Sequence, residues 1–265
     1  MKPLLDVVQR APDVAQGDVA QDLGFFDPSV PCIDAEGPPP SSVGRNLSFG
    51  PRSVIFLEGD EARSIFQVID GAVMLYKLLP DGRRQVVEVL GAGDVFGCSL
   101  PAVRDCSAET LVATRCLAVG REFVEGSPAL VQWLNLRLRA QLCALHEHVT
   151  LLGRKSAMER LTSFLMRSIP GRGRIGCAGP RNGDDHADIR LTLMRQEIAD
   201  YLGLTIETVS RLLTKLKRRK IMSIARLDEI HIHDVCRLCR LTGTHLTRGE
   251  WCSSHMQGRS RASFC

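Results

Sequence analysis

The sequence predicts an α+β protein with three parts: an N-terminal antiparallel β-roll, one long connecting helix, and a C-terminal winged helix-turn-helix. Three observations carry this. Short apolar runs broken by glycine turns fill residues 44–127. Leucines at helical spacing run without a break through 128–153. Two short helical patterns meet at Gly203, inside the stretch from Met194 to Leu216. Alternating short strands imply a barrel or roll, and 3.6-residue periodicity implies helix.

Composition bounds the class. The chain has 265 residues, 44% hydrophobic, enough for two domains and a connector. The net charge of +4 hides an asymmetry. Residues 154–265 carry 21 Lys/Arg against 11 Asp/Glu, whereas residues 1–153 carry 13 against 19. A basic C-terminal half is the footprint of phosphate contact. No apolar h-region follows Lys2 and no run of 18 apolar residues exists, so a cytoplasmic protein without a membrane partner is expected. Its ten cysteines are then expected to be mostly free, buried thiols.

Taken in order, residues 1–43 are rich in Pro, Gly, Asp and Ser and read as a flexible arm. Within 44–127, strands are expected at Ser53–Leu57, Ser64–Ile69, Ala72–Leu78, Gln85–Leu90 and Leu111–Thr114. Asp81-Gly82 between two of them is a hairpin signal. In the long helix, Leu134, Leu138, Leu142, Leu145, Val149 and Leu152 step by 4, 4, 3, 4 and 3, which keeps one stripe continuous. Residues 154–242 form the winged domain. Its first helix is expected at Ser156–Met166, with Met158, Leu161, Phe164 and Leu165 inward. A loop follows from Pro170 to Asp185, then a short strand at Ile189–Thr192. A wing forms from Ile221–Ile224 and Glu229–His233, and a last helix runs from Asp234 to about Leu241. Residues 243–265 lack periodicity and read as a tail.

The helix-turn-helix lies between Met194 and Arg211. Ile198, Ala199 and Leu202 give its first helix an apolar face, and Gly203 sits where the chain reverses. Thr205 is placed to cap the second helix, with Glu207 and Thr208 in the first turn. Ile206, Val209, Leu212, Leu213 and Leu216 recur on its inner side. Glu207, Ser210 and Arg211 are left for an outer face, which in this motif enters the DNA major groove. Glutamate accepts from cytosine N4, arginine donates to guanine, and serine approaches a thymine or adenine edge. Arg195, Thr205, Thr208, Lys215 and Lys217 are candidates for the DNA backbone, where contacts set register rather than sequence.

The stretch Glu207-Thr-Val-Ser-Arg211 resembles the E-x-x-S-R motif of the CRP/FNR family of bacterial transcription regulators. Ile198 to Arg211 resembles its FixK and FNR branches in particular. Phe56-Leu-Glu-Gly-Asp60 and Gly93-Asp-Val-Phe-Gly97 resemble two stretches of the family's cyclic-nucleotide-binding β-roll. The resemblance covers roughly residues 44–242. It implies a homodimer joined by the long helix, a TTGA-like palindrome in double-stranded DNA, and contact with RNA polymerase. By the same resemblance, the expected setting is oxygen-limited or nitrogen-fixation-related gene control. A symmetric reader also needs two half-site contacts, which independently favours pairing along the stripe from Leu134 to Leu152.

No cofactor or metal is expected. In the cyclic-AMP receptor branch an acid and an Arg-Ser pair hold the nucleotide; the matching positions here are Cys98 and Cys106-Ser107, with Arg104 two residues away. A phosphate lacking that cation is poorly held. The oxygen-sensing branch holds an iron–sulfur cluster on four cysteines, but the arm offers only Cys32 besides Cys116 in the barrel. His231, His233, Cys236 and Cys239 are formally a zinc set but read as a strand and a helix edge. All seven histidines lie at or after His146, so the barrel carries no histidine metal site and an enzyme is not expected. Two alternatives stand beside the main reading: a redox- or iron–sulfur-responsive regulator, and a ligand-binding β-roll without transcriptional activity.

Overall fold

The computed structural model describes residues 44–100, 102–169, 172, 177, 185–226 and 228–243. The expected arm, Cys32, most of the Pro170–Asp185 loop and all of the tail beyond Gly243 lie outside the described residues.

Eight strands build the N-terminal roll. They are β1 (Arg45–Phe49), β2 (Val54–Phe56), β3 (Ser64–Asp70), β4 (Val73–Leu78), β5 (Arg84–Leu90), β6 (Val95–Phe96), β7 (Ser107–Thr110) and β8 (Thr114–Gly120). They form two antiparallel four-stranded sheets, ordered β1-β8-β3-β6 and β2-β7-β4-β5. Val68, Val73, Leu90, Ala108 and Cys116 pack between them. So do Phe56, Phe66 and Phe96, whose ring centres lie 5.1–6.0 Å apart. The Asp81-Gly82 hairpin forms as expected, closing β4 on β5 with Leu78 opposite Arg84. The Asp81 carboxylate accepts from the Arg83 N–H at 3.1 Å and tightens the turn.

Of the strand expected at Leu111–Thr114, Leu111 to Ala113 are instead the bend joining β7 to β8, and Thr114 is the first residue of β8. Leu111 is buried because that bend folds inward, its N–H donating to the Ala72 carbonyl at 2.8 Å. Apolarity there reflects burial of a turn, not strand pairing. Four strands, β1 and β6 to β8, carried no clear sequence signal.

A short helix α1 (Arg121–Glu125) leads into α2 (Pro128–Arg154). Pro128 opens α2, where its missing N–H costs no hydrogen bond. Leu130 and Trp133 are buried, and Leu130 packs with Ile65, Leu117 and Val119 of the roll. Gln141 fastens the middle of α2 to the roll. Its amide exchanges hydrogen bonds with the Val95 backbone, 3.1 Å from N and 3.0 Å from O.

The C-terminal part comprises α3 (Ala157–Arg167), β9 (Ala187–Arg190), α4 (Arg195–Leu202), α5 (Ile206–Arg218), β10 (Met222–Ile224), β11 (Glu229–Ile232) and α6 (Val235–Arg240). Ser156 and Glu159 form a capping box at the start of α3. The wing strands β10 and β11 pair as expected, and β9 joins β11 as a third strand. β9 lies two residues earlier than the expected Ile189–Thr192, because Ile189 pairs with Ile230 and the ladder ends at Arg190.

One hydrophobic core joins the two parts. Met74, Tyr76 and Val86 of the sheet β2-β7-β4-β5 belong to the same buried cluster as Leu161, Phe164, Ile198 and Leu202. Two ion pairs cross the same boundary. Arg84 Nε donates to Asp200 Oδ2 at 2.8 Å, and Arg52 pairs with Glu197. Arg52 adopts a left-handed φ of 59°, uncommon for a side chain with a Cβ.

Candidate nucleic-acid interface

Helix α4 is held from three directions. Its C-terminus stops at Gly203, whose φ of 61° lets its N–H turn back to the Ala199 carbonyl. Arg160 of α3 donates to the Leu202 carbonyl at 3.0 Å. Tyr201 stacks on His148 of α2, ring centres 4.1 Å apart, and accepts from Arg167 at 3.1 Å. Burial beside Tyr201, with Arg167 near, pushes the His148 imidazole down to about 4 and keeps it neutral.

Helix α5 crosses this support and is capped as the sequence predicts. The Thr205 hydroxyl accepts from the Thr208 N–H at 3.2 Å. Val209, Leu213 and Leu216 are buried and Leu212 is half-buried, which fixes the rotation of the helix. Ile206, expected on this inner side, is instead 36% exposed. It is the first residue of the helix, one turn before the packed face begins.

With the inner face fixed, steps of 100° place the rest. Glu207 and Arg211 lie on the outer face and are exposed, and Ser210 sits on one flank, partly covered. Arg211 donates to the Thr208 hydroxyl at 3.2 Å. The Glu207 carboxyl is held below the usual carboxylate range, chiefly by its own backbone N–H and by the Thr205 hydroxyl. It is therefore an acceptor at neutral pH. Arg195, Thr205, Lys215 and Lys217 are exposed around this face, and Thr208 is half-buried. Thr205 and Thr208 are engaged in helix capping, so their hydroxyls serve the helix first. Sequence reasoning passed over Thr214 and Arg218, which are exposed on the same outer face one and two turns further along. Continuing the 100° count past Arg211 would have found both.

The stripe on α2 divides into ends and middle. Leu134 packs on the roll and Leu152 on the joint core, both partly buried. Leu138, Leu142 and Val149 are exposed, and Leu145 is half-buried. Val131 extends this exposed apolar face by two turns.

Inside the roll, Arg104 is almost fully buried. Its guanidinium lies 4.2 Å from the Phe56 ring centre and donates to the carbonyls of Gly97 at 2.6 Å and Ser64 at 2.8 Å. The charge is thus engaged by the protein's own oxygens and aromatic faces. Cys98 is exposed, while Cys106 and Cys116 are buried. Burial pushes both of these thiols up to about 12, so neither is a ready thiolate. Cys236, buried at the start of α6, receives a hydrogen bond from Arg172 at 3.2 Å. No helix among the described residues is long and apolar enough to cross a membrane.

Comparison with known proteins agrees with this architecture. The profile of the bacterial regulatory proteins, crp family, matches residues 191–222, and that of the cyclic nucleotide-binding domain matches residues 46–126. The nitrogen fixation regulation protein FixK of Bradyrhizobium diazoefficiens is 37% identical over 186 residues, 69% of this chain and 76% of that protein. The transcriptional activatory protein AadR of Rhodopseudomonas palustris is 34% identical over 186 residues, 69% of this chain and 75% of its own. The solved structure of FixK2 from Bradyrhizobium japonicum superposes with a TM-score of 0.62 at 32% identity, covering 75% of this chain and 97% of that one. The chain therefore belongs to the crp family of bacterial regulatory proteins, in its FixK-like branch, and is a DNA-binding transcription regulator rather than an enzyme.

Proposed function

We propose that two copies of this chain pair along α2 and bind a TTGA-like palindrome, then contact RNA polymerase in the cytoplasm. The names of the FixK relatives favour nitrogen-fixation-related or oxygen-limited gene control as the setting. The observation that carries the reading is the outer face of α5. Glu207 and Arg211 are exposed there, with Ser210 beside them, on a helix whose inner face is locked by Val209, Leu213 and Leu216. Glu207, Ser210 and Arg211 read base edges; Arg195, Thr205, Thr208, Lys215 and Lys217 meet the DNA backbone. The exposed Leu138, Leu142 and Val149, with Leu145 between them, form the centre of the dimer seam.

Binding in this reading needs no cyclic nucleotide, because Cys98 and Cys106 replace the acid and the arginine, and Arg104 is committed to Gly97 and Ser64. A gel-shift titration with TTGA-type palindromes tests it, run with and without reductant and cyclic nucleotide. Specific binding that is unchanged by either addition is expected. A requirement for cyclic nucleotide would transfer control to the roll, and a requirement for reductant would favour the redox-responsive alternative.

A further inference from the structure

Strands β9 and β11 run antiparallel, with Asp188 opposite His231 and Ala187 opposite Ile232. Continued one residue past the ends of both strands, the same register would set His186 opposite His233. Residues two apart on a strand share a face. Asp188, His186, His231 and His233 thus form a two-by-two block on one face of the wing sheet. The other face carries the buried Ile189, Ile230 and Ile232.

The His231 imidazole lies close to each of the other two. The His231 ring centre lies 5.8 Å from that of His186 and 4.7 Å from that of His233. Two imidazoles sharing one tetrahedral zinc, at Zn–N of about 2.0–2.1 Å, put their ring centres roughly 5 Å apart. Asp188 Oδ1 is 2.6 Å from His231 Nδ1. A carboxylate there holds the proton on Nδ1 and leaves Nε2 free to donate its lone pair. His186 and His233 are exposed and His231 is half-buried, so an ion has an open approach.

We propose that His186, His231 and His233 bind a borderline divalent transition-metal ion of the zinc class, with Asp188 orienting His231. Among the described residues no group of three His, Cys, Asp or Glu side chains is arranged to hold a metal ion as it stands. The site closes when the exposed His186 and His233 rings rotate toward His231 Nε2, a motion of picoseconds to nanoseconds for exposed side chains. Imidazole suits this class of ion, and water completes the fourth position. The bound ion ties β9 to β11 across the wing.

The test uses the reduced, tag-free full-length chain with Co²⁺ alone as the probe and Zn²⁺ as competitor. One equivalent of cobalt should bind with visible absorption but without the sulfur-to-metal charge transfer of thiolate ligation, and zinc should displace it. The double variant His231→Gln/His233→Gln should abolish this binding at an unchanged circular dichroism spectrum. His186→Gln, at an exposed position, repeats the test should the double variant fail to fold. Asp188→Asn should weaken binding about 10–100-fold. Absence of cobalt binding, thiolate absorption at the first equivalent, or unchanged binding in the histidine variants would each overturn the proposal.

Discussion

Arg84 on β5 reaches Asp200 on α4 at 2.8 Å, joining the roll to the helix that supports the DNA-facing one. The pair is mostly buried and Arg84 also lies 5.4 Å from the Tyr76 ring centre. Such a pair couples two parts of a chain more than a surface pair does. A double-mutant cycle of Arg84→Ala and Asp200→Ala, followed by urea unfolding, should return a favourable coupling of about 0.5–3 kcal/mol. Strictly additive destabilisation would mean that the two side chains act separately.

Arg211→Ala should lower affinity for the cognate palindrome by about 1–3 kcal/mol and relax selectivity at one base pair. Arg211 is exposed on α5, and its guanidinium donates to the Thr208 hydroxyl of the same helix turn. Lys217→Ala should instead weaken all sequences alike and reduce the salt dependence. Binding isotherms on single-base variants at several salt concentrations separate the two. A variant at Arg211 that discriminates as well as the wild type does would remove it from base reading.

Leu142→Glu should give monomers that lose specific DNA binding. Leu142 is 49% exposed in the single chain, mid-way along the free part of the α2 face. Burying a leucine against a second copy contributes about 1.5–3 kcal/mol, whereas a buried carboxylate opposes it strongly. Light scattering at micromolar concentration reads the outcome. A variant that remains dimeric would place the dimer contact elsewhere.

Asp94 should make the protein less stable as pH rises through neutrality. It is buried, and desolvation pushes its carboxyl up to about 7, with Glu88 adding to the rise and the Gly91 N–H and Arg137 opposing it. A raised folded-state value stabilises the protein fully below the unfolded value of about 3.9, and that contribution is lost as pH climbs through about 7. Asp94→Asn keeps an acceptor for the Gly91 N–H but cannot ionise. Its urea midpoint should therefore fall less between pH 5 and pH 8 than that of the wild type, a difference on the order of a few kcal/mol. Parallel pH profiles would show that Asp94 ionises without cost.

The parts that were legible in the sequence are those whose signals are local. Gly203, Thr205 and the spacing of Val209, Leu213 and Leu216 specify the helix-turn-helix within one short stretch, and the structure has them as expected. Asp81-Gly82 similarly specifies its hairpin. The bend at Leu111 misled because burial, not pairing, selects its apolar residue. Arg52–Glu197 and Arg84–Asp200 were invisible for a different reason. Their partners lie 145 and 116 residues apart, and nothing in either neighbourhood names the other. Arg104 shows the same limit, since its position relative to Cys106 says little about a guanidinium that folds back over Phe56.

The continuous core across Met74, Tyr76, Val86, Ile198 and Leu202 changes what it means to divide this chain. A fragment starting near Ser156 would take Tyr201 from its stack on His148 and strand Glu197 and Asp200 without their arginines. The complementary fragment would take Met74, Tyr76 and Val86 of the sheet β2-β7-β4-β5 out of their shared core. The seam near residue 154 is a convenient place to parse the sequence, yet it is no fault line. Heat should melt the two halves together in a single transition, and an excised DNA-binding half should be a poor substitute for the same residues in the whole protein.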